Sequence, residues 1–83
     1  MSVVRIPPTL RAETGGEREV VAEGRTVAEL LEDLTSRFPA LRGSIEHANV
    51  YVGGEDIRTR EGLETAVAES DTVILLPAMA GGA

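Results

Sequence analysis

The sequence predicts an α+β domain in which one amphipathic helix lies across one face of a mixed sheet of four to five strands. Three observations predict it. A capped apolar stripe with helical period occupies residues 26–38, and short β-branched runs flank it on both sides. The last apolar run, Val73-Ile74-Leu75-Leu76, is hydrophobic on both alternating faces, which places it centrally in the sheet. Val73 to Leu76 are therefore all expected in the core.

In chain order, Ser2 to Ile6 reads as a first strand, with Val4 and Ile6 on one face by period two. Pro7-Pro8 end it. Thr9 to Gly16 forms a loop or wide turn, with its sharpest signal at Thr14-Gly15-Gly16. Arg18 to Ala22 is the return leg of a hairpin. Thr26-Val27-Ala28-Glu29 then makes a capping box: the Thr26 hydroxyl accepts from the Glu29 N–H, and the Glu29 carboxylate reaches back to Thr26. Val27, Leu30, Leu31, Leu34 and Phe38 follow as one apolar stripe, with Glu29, Glu32, Asp33 and Ser36 towards solvent. Pro39 stops the helix, because the residue before a proline is pushed out of helical geometry.

Ala40 to His47 is a loop with one helical turn, with Leu41 and Ile45 reaching the core. Asn49-Val50-Tyr51-Val52 is a third strand, Gly53-Gly54 a tight turn, and a short fourth strand lies around Asp56 to Arg58. Glu61 to Ala68 holds Leu63 and Val67 at helical spacing, and Glu69-Ser70-Asp71 turns into the last strand, Thr72 to Leu76. Pro77 stops that strand, since proline cannot donate to a ladder. A helix crossing a mixed sheet in this element order is a β-grasp. No repeat or linker interrupts it, so one domain spans residues 1–83 with a flexible tail at 77–83.

Composition narrows the function classes. A chain of 83 residues buries only about 60–65% of its unfolded surface. With no Trp, one Phe and one Tyr, the core must be aliphatic, with little room for an enclosed pocket. A formal charge of −6 argues against nucleic-acid or anionic-membrane partners and suits a partner with a basic groove. Without cysteine the chain has no disulfide, thiolate nucleophile or sulfur-ligated metal. No signal peptide or stretch of transmembrane length is visible, so the expected compartment is the cytoplasm. The eight basic residues are all arginine. That fits a GC-rich genome, and also a chain whose activated carboxylate must meet no neutral amine.

Pro77, Ala78, Met79, Ala80, Gly81, Gly82 and Ala83 carry no charged side chain. Extended, Pro77 to Gly82 spans about 20 Å at roughly 3.3 Å per residue. Gly81 and Gly82 lack a Cβ, so such a tail passes a narrow channel and delivers a carboxylate into another protein's active site. The same composition describes a frayed terminus.

No self-sufficient catalytic or metal site is evident. A lone His47 builds neither a triad nor a metal site, and Glu55-Asp56 reads as a solvated turn rather than a cation site. Gly15-Gly16 and Gly53-Gly54 lack the lysine and strand–helix context of a phosphate cradle. Any chemistry sits at the C-terminus.

Ile6-Pro7-Pro8-Thr9-Leu10-Arg11, the Thr14-Gly15-Gly16 turn, Asn49-Val50-Tyr51-Val52 with Glu55-Asp56-Ile57-Arg58, and Ile74 through Gly82 together resemble the MoaD/ThiS family of ubiquitin-like sulfur carriers. The likeness covers the whole chain and is strongest to the actinobacterial CysO branch. It implies that a ubiquitin-activating-type enzyme uses ATP to adenylate the Gly82 carboxylate, with no cofactor bound by the chain itself. Sulfur from a sulfurtransferase or persulfide donor then gives a thiocarboxylate. The acceptor is a cysteine synthase-like, thiazole synthase-like or thiosugar synthase-like enzyme, and Pro77 to Gly82 enter the partner's active site. Two departures stand out. Ala83 follows the second glycine, so the resemblance implies trimming by a metal-dependent peptidase or an added residue, with a divergent member whose Ala83 blocks thiocarboxylation as a third possibility. Ser70 stands where the family often has glycine, with local strain as the expected cost. Other readings are a MoaD-like subunit of molybdopterin synthase, a protein modifier, and an inert interaction module. The expected docking surface is one exposed sheet face plus the tail, with Leu10, Tyr51 and Met79 as candidates.

Overall fold

The computed structural model describes residues 1–77. It is a β-grasp: a five-stranded mixed sheet with one main helix packed on one face. The strands are β1 (Ser2–Arg5), β2 (Glu19–Ala22), β3 (Ala48–Val52), β4 (Glu55–Asp56) and β5 (Thr72–Pro77). Their order across the sheet is β2-β1-β5-β3-β4. β5 runs parallel to β1 and antiparallel to β3, with Val4 opposite Val73 and Val50 opposite Leu75.

The central position of the last strand follows its apolar pattern, but only half of that pattern is core. Val73 and Leu75 are fully buried beneath the helix. Ile74 and Leu76 point to the opposite face, where Ile74 is half-buried and Leu76 is 42% exposed. The expectation that Val73 to Leu76 are all core is therefore corrected, because among the described residues no second layer covers the far side of the sheet. The strand also continues through Pro77, which lies opposite Ala48. Proline lacks a donor yet keeps an acceptor carbonyl, so it fits the end of a ladder. The expected tail residues Ala78 to Ala83 lie outside the described residues.

The main helix, α1 (Val27–Arg37), buries Val27, Leu30, Leu31 and Leu34. Phe38 is its C-cap, part-buried against the core, and its non-helical backbone reflects the proline that follows. The Thr26 hydroxyl accepts from the Glu29 N–H at 3.3 Å as expected. The returning arm lands one residue earlier: the Glu29 carboxylate accepts from the Arg25 N–H at 2.9 Å.

Two connections differ from the sequence expectation and one matches it. Pro8–Thr14 is a 3₁₀ helix that ends at Gly15 in left-handed geometry, and it turns Leu10 into the core. Ala40 to His47 contains the short helix α2 (Leu41–Ile45), which is the expected helical turn. The fourth strand is only Glu55–Asp56, because the Asp56 carboxylate accepts the Arg58 N–H at 2.8 Å and curls Ile57–Thr59 into a 3₁₀ turn. Gly53 and Gly54 both have positive φ, as a two-residue hairpin between Val52 and Glu55 requires. In the 3₁₀ turn at Gly62–Glu64, Leu63 is 53% exposed. Val67 instead reaches the core where residues 65–67 run alongside Arg25–Val27. Ser70 takes no positive φ, so the expected local strain is absent. No helix among the described residues is long and apolar enough to cross a membrane.

Candidate functional site

The site is the end of β5 and the two surfaces that meet there. β5 is hydrogen-bonded on both sides, to β1 and to β3, and its buried Val73 and Leu75 anchor it to the helix side. Whatever follows Pro77 thus leaves from a root held in the middle of the sheet rather than from a free edge.

The first surface is the face of the sheet that α1 leaves open. By strand register, Val21, Val3, Thr72, Ile74, Leu76, Asn49 and Tyr51 share it. Val21 and Leu76 are 47% and 42% exposed, and Val3, Ile74 and Tyr51 are half-buried. Apolar side chains are grouped on this face with charged groups at its corners, which makes it the candidate docking surface among the described residues. Arg5 and Glu19 hold one corner, at a loose 3.8 Å. Asp56, opposite Tyr51, holds another and takes the Arg58 guanidinium at 2.7 Å. That hydrogen bond, with one from the Arg58 backbone, holds the Asp56 carboxyl below the ordinary aspartate range, and Asp56 raises Arg58 in return.

The second surface is an open groove of about 880 Å³ that runs from the end of β5 past the Pro7-Pro8 corner. Arg5, Arg11 and Arg18 line it from three separate segments, together with Ile74 and Leu76. Arg11 is steadied there by its Nε, which donates to the Ile6 carbonyl at 3.1 Å.

Of the residues singled out by sequence, Pro77 is at the root of this site, and Ala78, Met79, Ala80, Gly81, Gly82 and Ala83 lie outside the described residues. Tyr51 is on the open face as a docking candidate, whereas Leu10, 8% exposed, is core and cannot dock. His47 is exposed in the turn before β3. The Ser44 hydroxyl donates to the Glu13 carboxylate at 2.8 and 2.9 Å, which ties α2 to the first 3₁₀ helix. Among the described residues no group of His, Cys, Asp and Glu is arranged to hold a metal ion. Sequence reasoning missed Ile74 and Leu76 as surface, and the meeting of the three arginines. Neither carried a local signal: all four residues of Val73-Ile74-Leu75-Leu76 are apolar, and the three arginines come from separate segments.

Comparison with known proteins gives a consistent result. The model of the ThiS family matches residues 4–82. The sulfur carrier protein CysO of Mycobacterium tuberculosis is 39% identical, over 95% of this chain and 96% of that protein. A crystal structure of the Amycolatopsis orientalis BexX/CysO complex contains a chain that superposes with a TM-score of 0.89 at 42% identity, covering 99% of this chain and 100% of that one. The small archaeal modifier protein 1 of Methanosarcina acetivorans superposes at 0.87 with 30% identity, covering 98% and 95% of the two chains.

Proposed function

The chain belongs to the ThiS family, and from that premise we propose that it is a sulfur carrier of the CysO kind acting through the carboxyl group of Gly82. In this reading it performs no catalysis alone. A carboxylate is a poor electrophile, so an adenylating enzyme of the ubiquitin-activating type joins it to AMP from ATP, releasing pyrophosphate. The terminal sulfur of a persulfide on a sulfurtransferase attacks the acyl carbon, and AMP departs with the bonding pair. A thiol reduces the resulting acyl disulfide and leaves a thiocarboxylate on Gly82. That sulfur is the nucleophile given to a biosynthetic enzyme of the cysteine, thiazole, molybdopterin or thiosugar-forming kind. A metal-dependent peptidase first removes Ala83, so that Gly82 has a free carboxylate.

The observation that carries the reading is the family match over residues 4–82, joined to 39% identity with a named sulfur carrier across 95% of the chain. The sheet supports the docking half of the argument. A firmly held strand ends beside an apolar open face, so a partner that grips the face receives the tail in a defined direction. The Amycolatopsis CysO solved with BexX supports a partner protein of that sort.

Intact-mass measurement tests the proposal. The protein is incubated with its host's adenylating enzyme, peptidase, ATP and a persulfide source. Loss of Ala83 together with the gain of one sulfur for one oxygen is expected, and an unchanged full-length mass overturns it. The likeness to the small archaeal modifier protein favours a second reading, in which Gly82 forms isopeptide bonds with lysines of other proteins. Conjugates of higher mass in host extract, absent for a Gly82 deletion, distinguish that reading.

A further inference from the structure

The groove beside the tail root has a charge unlike the rest of the molecule. Arg5, Arg11 and Arg18 face Glu17 and Glu19 there, which leaves it at +1. The other five arginines and twelve acidic residues put the remainder at −7. Arg5 and Glu19 are 61% and 59% exposed and 3.8 Å apart, so their pairing holds neither side chain firmly. Arg11 uses only its Nε on the Ile6 carbonyl, and its terminal nitrogens take no hydrogen bond among the described residues. Arg18 is exposed and makes no ion pair among the described residues. Several guanidinium N–H groups are therefore left unbonded, among the described residues, on arginines lining a groove whose wall continues into Ile74 and Leu76 of the open face.

We infer that this groove binds a carboxylate-bearing loop of the adenylating enzyme, an Asp or Glu flanked by apolar side chains, while the tail enters that enzyme's active site. The inference rests on the proposed carrier function. Three features commit the groove to that occupant. An enzyme that takes in the tail must cover the groove, because Leu76 lines it one residue before the strand ends. Guanidinium groups recognise carboxylates by paired, charge-assisted hydrogen bonds. The same partner needs basic groups elsewhere to match the −7 remainder, so the arginine groove sets the register in which a largely acidic body docks. A uniformly basic surface would be repelled at this one place.

The test is ATP–pyrophosphate exchange catalysed by the host's adenylating enzyme, with the chain ending at Gly82 as substrate. The double variant Arg5→Glu/Arg18→Glu is compared with Arg25→Glu/Arg42→Glu, which changes net charge equally at exposed positions outside the groove. For the groove pair, KM is expected to rise about tenfold or more at unchanged kcat, with the gap narrowing as salt is added. For the outer pair, KM should stay the same or fall short of that by a wide margin. Equal effects of the two pairs, or none for the groove pair, overturn the inference while the carrier function stands. Absence of exchange with the unsubstituted chain removes the carrier function and this inference together. Urea midpoints check that the variants fold. Arg18→Ala, whose side chain supports nothing structural among the described residues, repeats the test if the double variant does not, with a several-fold rise in KM expected.

Discussion

Ile74 lies directly opposite Tyr51 on the open face of the sheet, while their neighbours Val73 and Val52 oppose each other in the core beneath. Two adjacent residues of one strand thus serve different ends. Burial of Leu75 on the helix side holds the fold: Leu75→Ala should cost about 2–5 kcal/mol, read from urea unfolding. That is a large share of the stability of so small a domain. Ile74→Asp should cost less, about 1–2 kcal/mol, since Ile74 is only partly buried and the new carboxylate keeps access to water. It should nevertheless lower kcat/KM for adenylation of the chain ending at Gly82 by about tenfold to a hundredfold, by putting an unpaired charge in the docking patch. Equal losses of stability in the two variants would argue against the division of faces.

Gly24 sits where the chain turns from β2 into α1. A Cβ built there would come within 2.6 Å of the Leu30 backbone nitrogen and 2.7 Å of the Glu29 Cβ. The obstacle is the first turn of a helix, not the flexible end of a side chain. Gly24→Ala should therefore destabilise by about 1–3 kcal/mol by displacing that turn. Gly43 makes the comparison, because a Cβ there meets nothing within 4 Å. Gly43→Ala should leave the urea midpoint unchanged or raise it, as alanine favours the helix.

The helix was legible because its signals are local: the Thr26 cap, the stripe from Val27 to Leu34 and the proline after Phe38 lie within one stretch of chain. The centrality of β5 was legible from its composition. Which of its residues would be surface was not, since Ile74 and Leu76 differ from Val73 and Leu75 only in having no helix over them. Leu10 was misjudged for the reverse reason, because a 3₁₀ helix capped by Gly15 turns it inward where a loop was expected. Arg5, Arg11 and Arg18 belong to a strand, a 3₁₀ helix and the approach to a second strand. Only closure of the β1–β2 hairpin brings them to one groove. The tail was legible only as a motif.

Asp56 supplies an acid-sensitive element at the edge of the open face. The hydrogen bond from the Arg58 side chain is the main cause that lowers its pKa, and the Arg58 backbone N–H adds to it. A carboxyl with a folded pKa below its unfolded value contributes stability at all pH values above the unfolded pKa. That contribution is lost as pH falls from there through the folded pKa. An NMR titration should place Asp56 below the ordinary aspartate range. Asp56→Asn should flatten the acid limb of urea midpoint against pH and leave its slope above pH ~5 unchanged. Arg58→Ala should return the Asp56 titration towards the ordinary value.

Under the proposed function, Ala83 sets the order of events at the tail. Adenylation there would use the carboxylate of Gly82, which is a peptide carbonyl as long as Ala83 follows it. The chain ending at Gly82 should therefore support ATP–pyrophosphate exchange with the adenylating enzyme alone, and the full chain only after the peptidase is added. Replacing Gly82 by alanine in the shortened chain keeps a free carboxylate but adds a Cβ at the residue proposed to enter the partner's active site. Exchange should fall about tenfold or more for that variant if the channel admits only glycine. Exchange by the untrimmed chain at the rate of the trimmed one would mean that the enzyme accepts the Ala83 carboxylate itself. The sulfur would then end on Ala83, and intact mass after sulfur transfer would report it there.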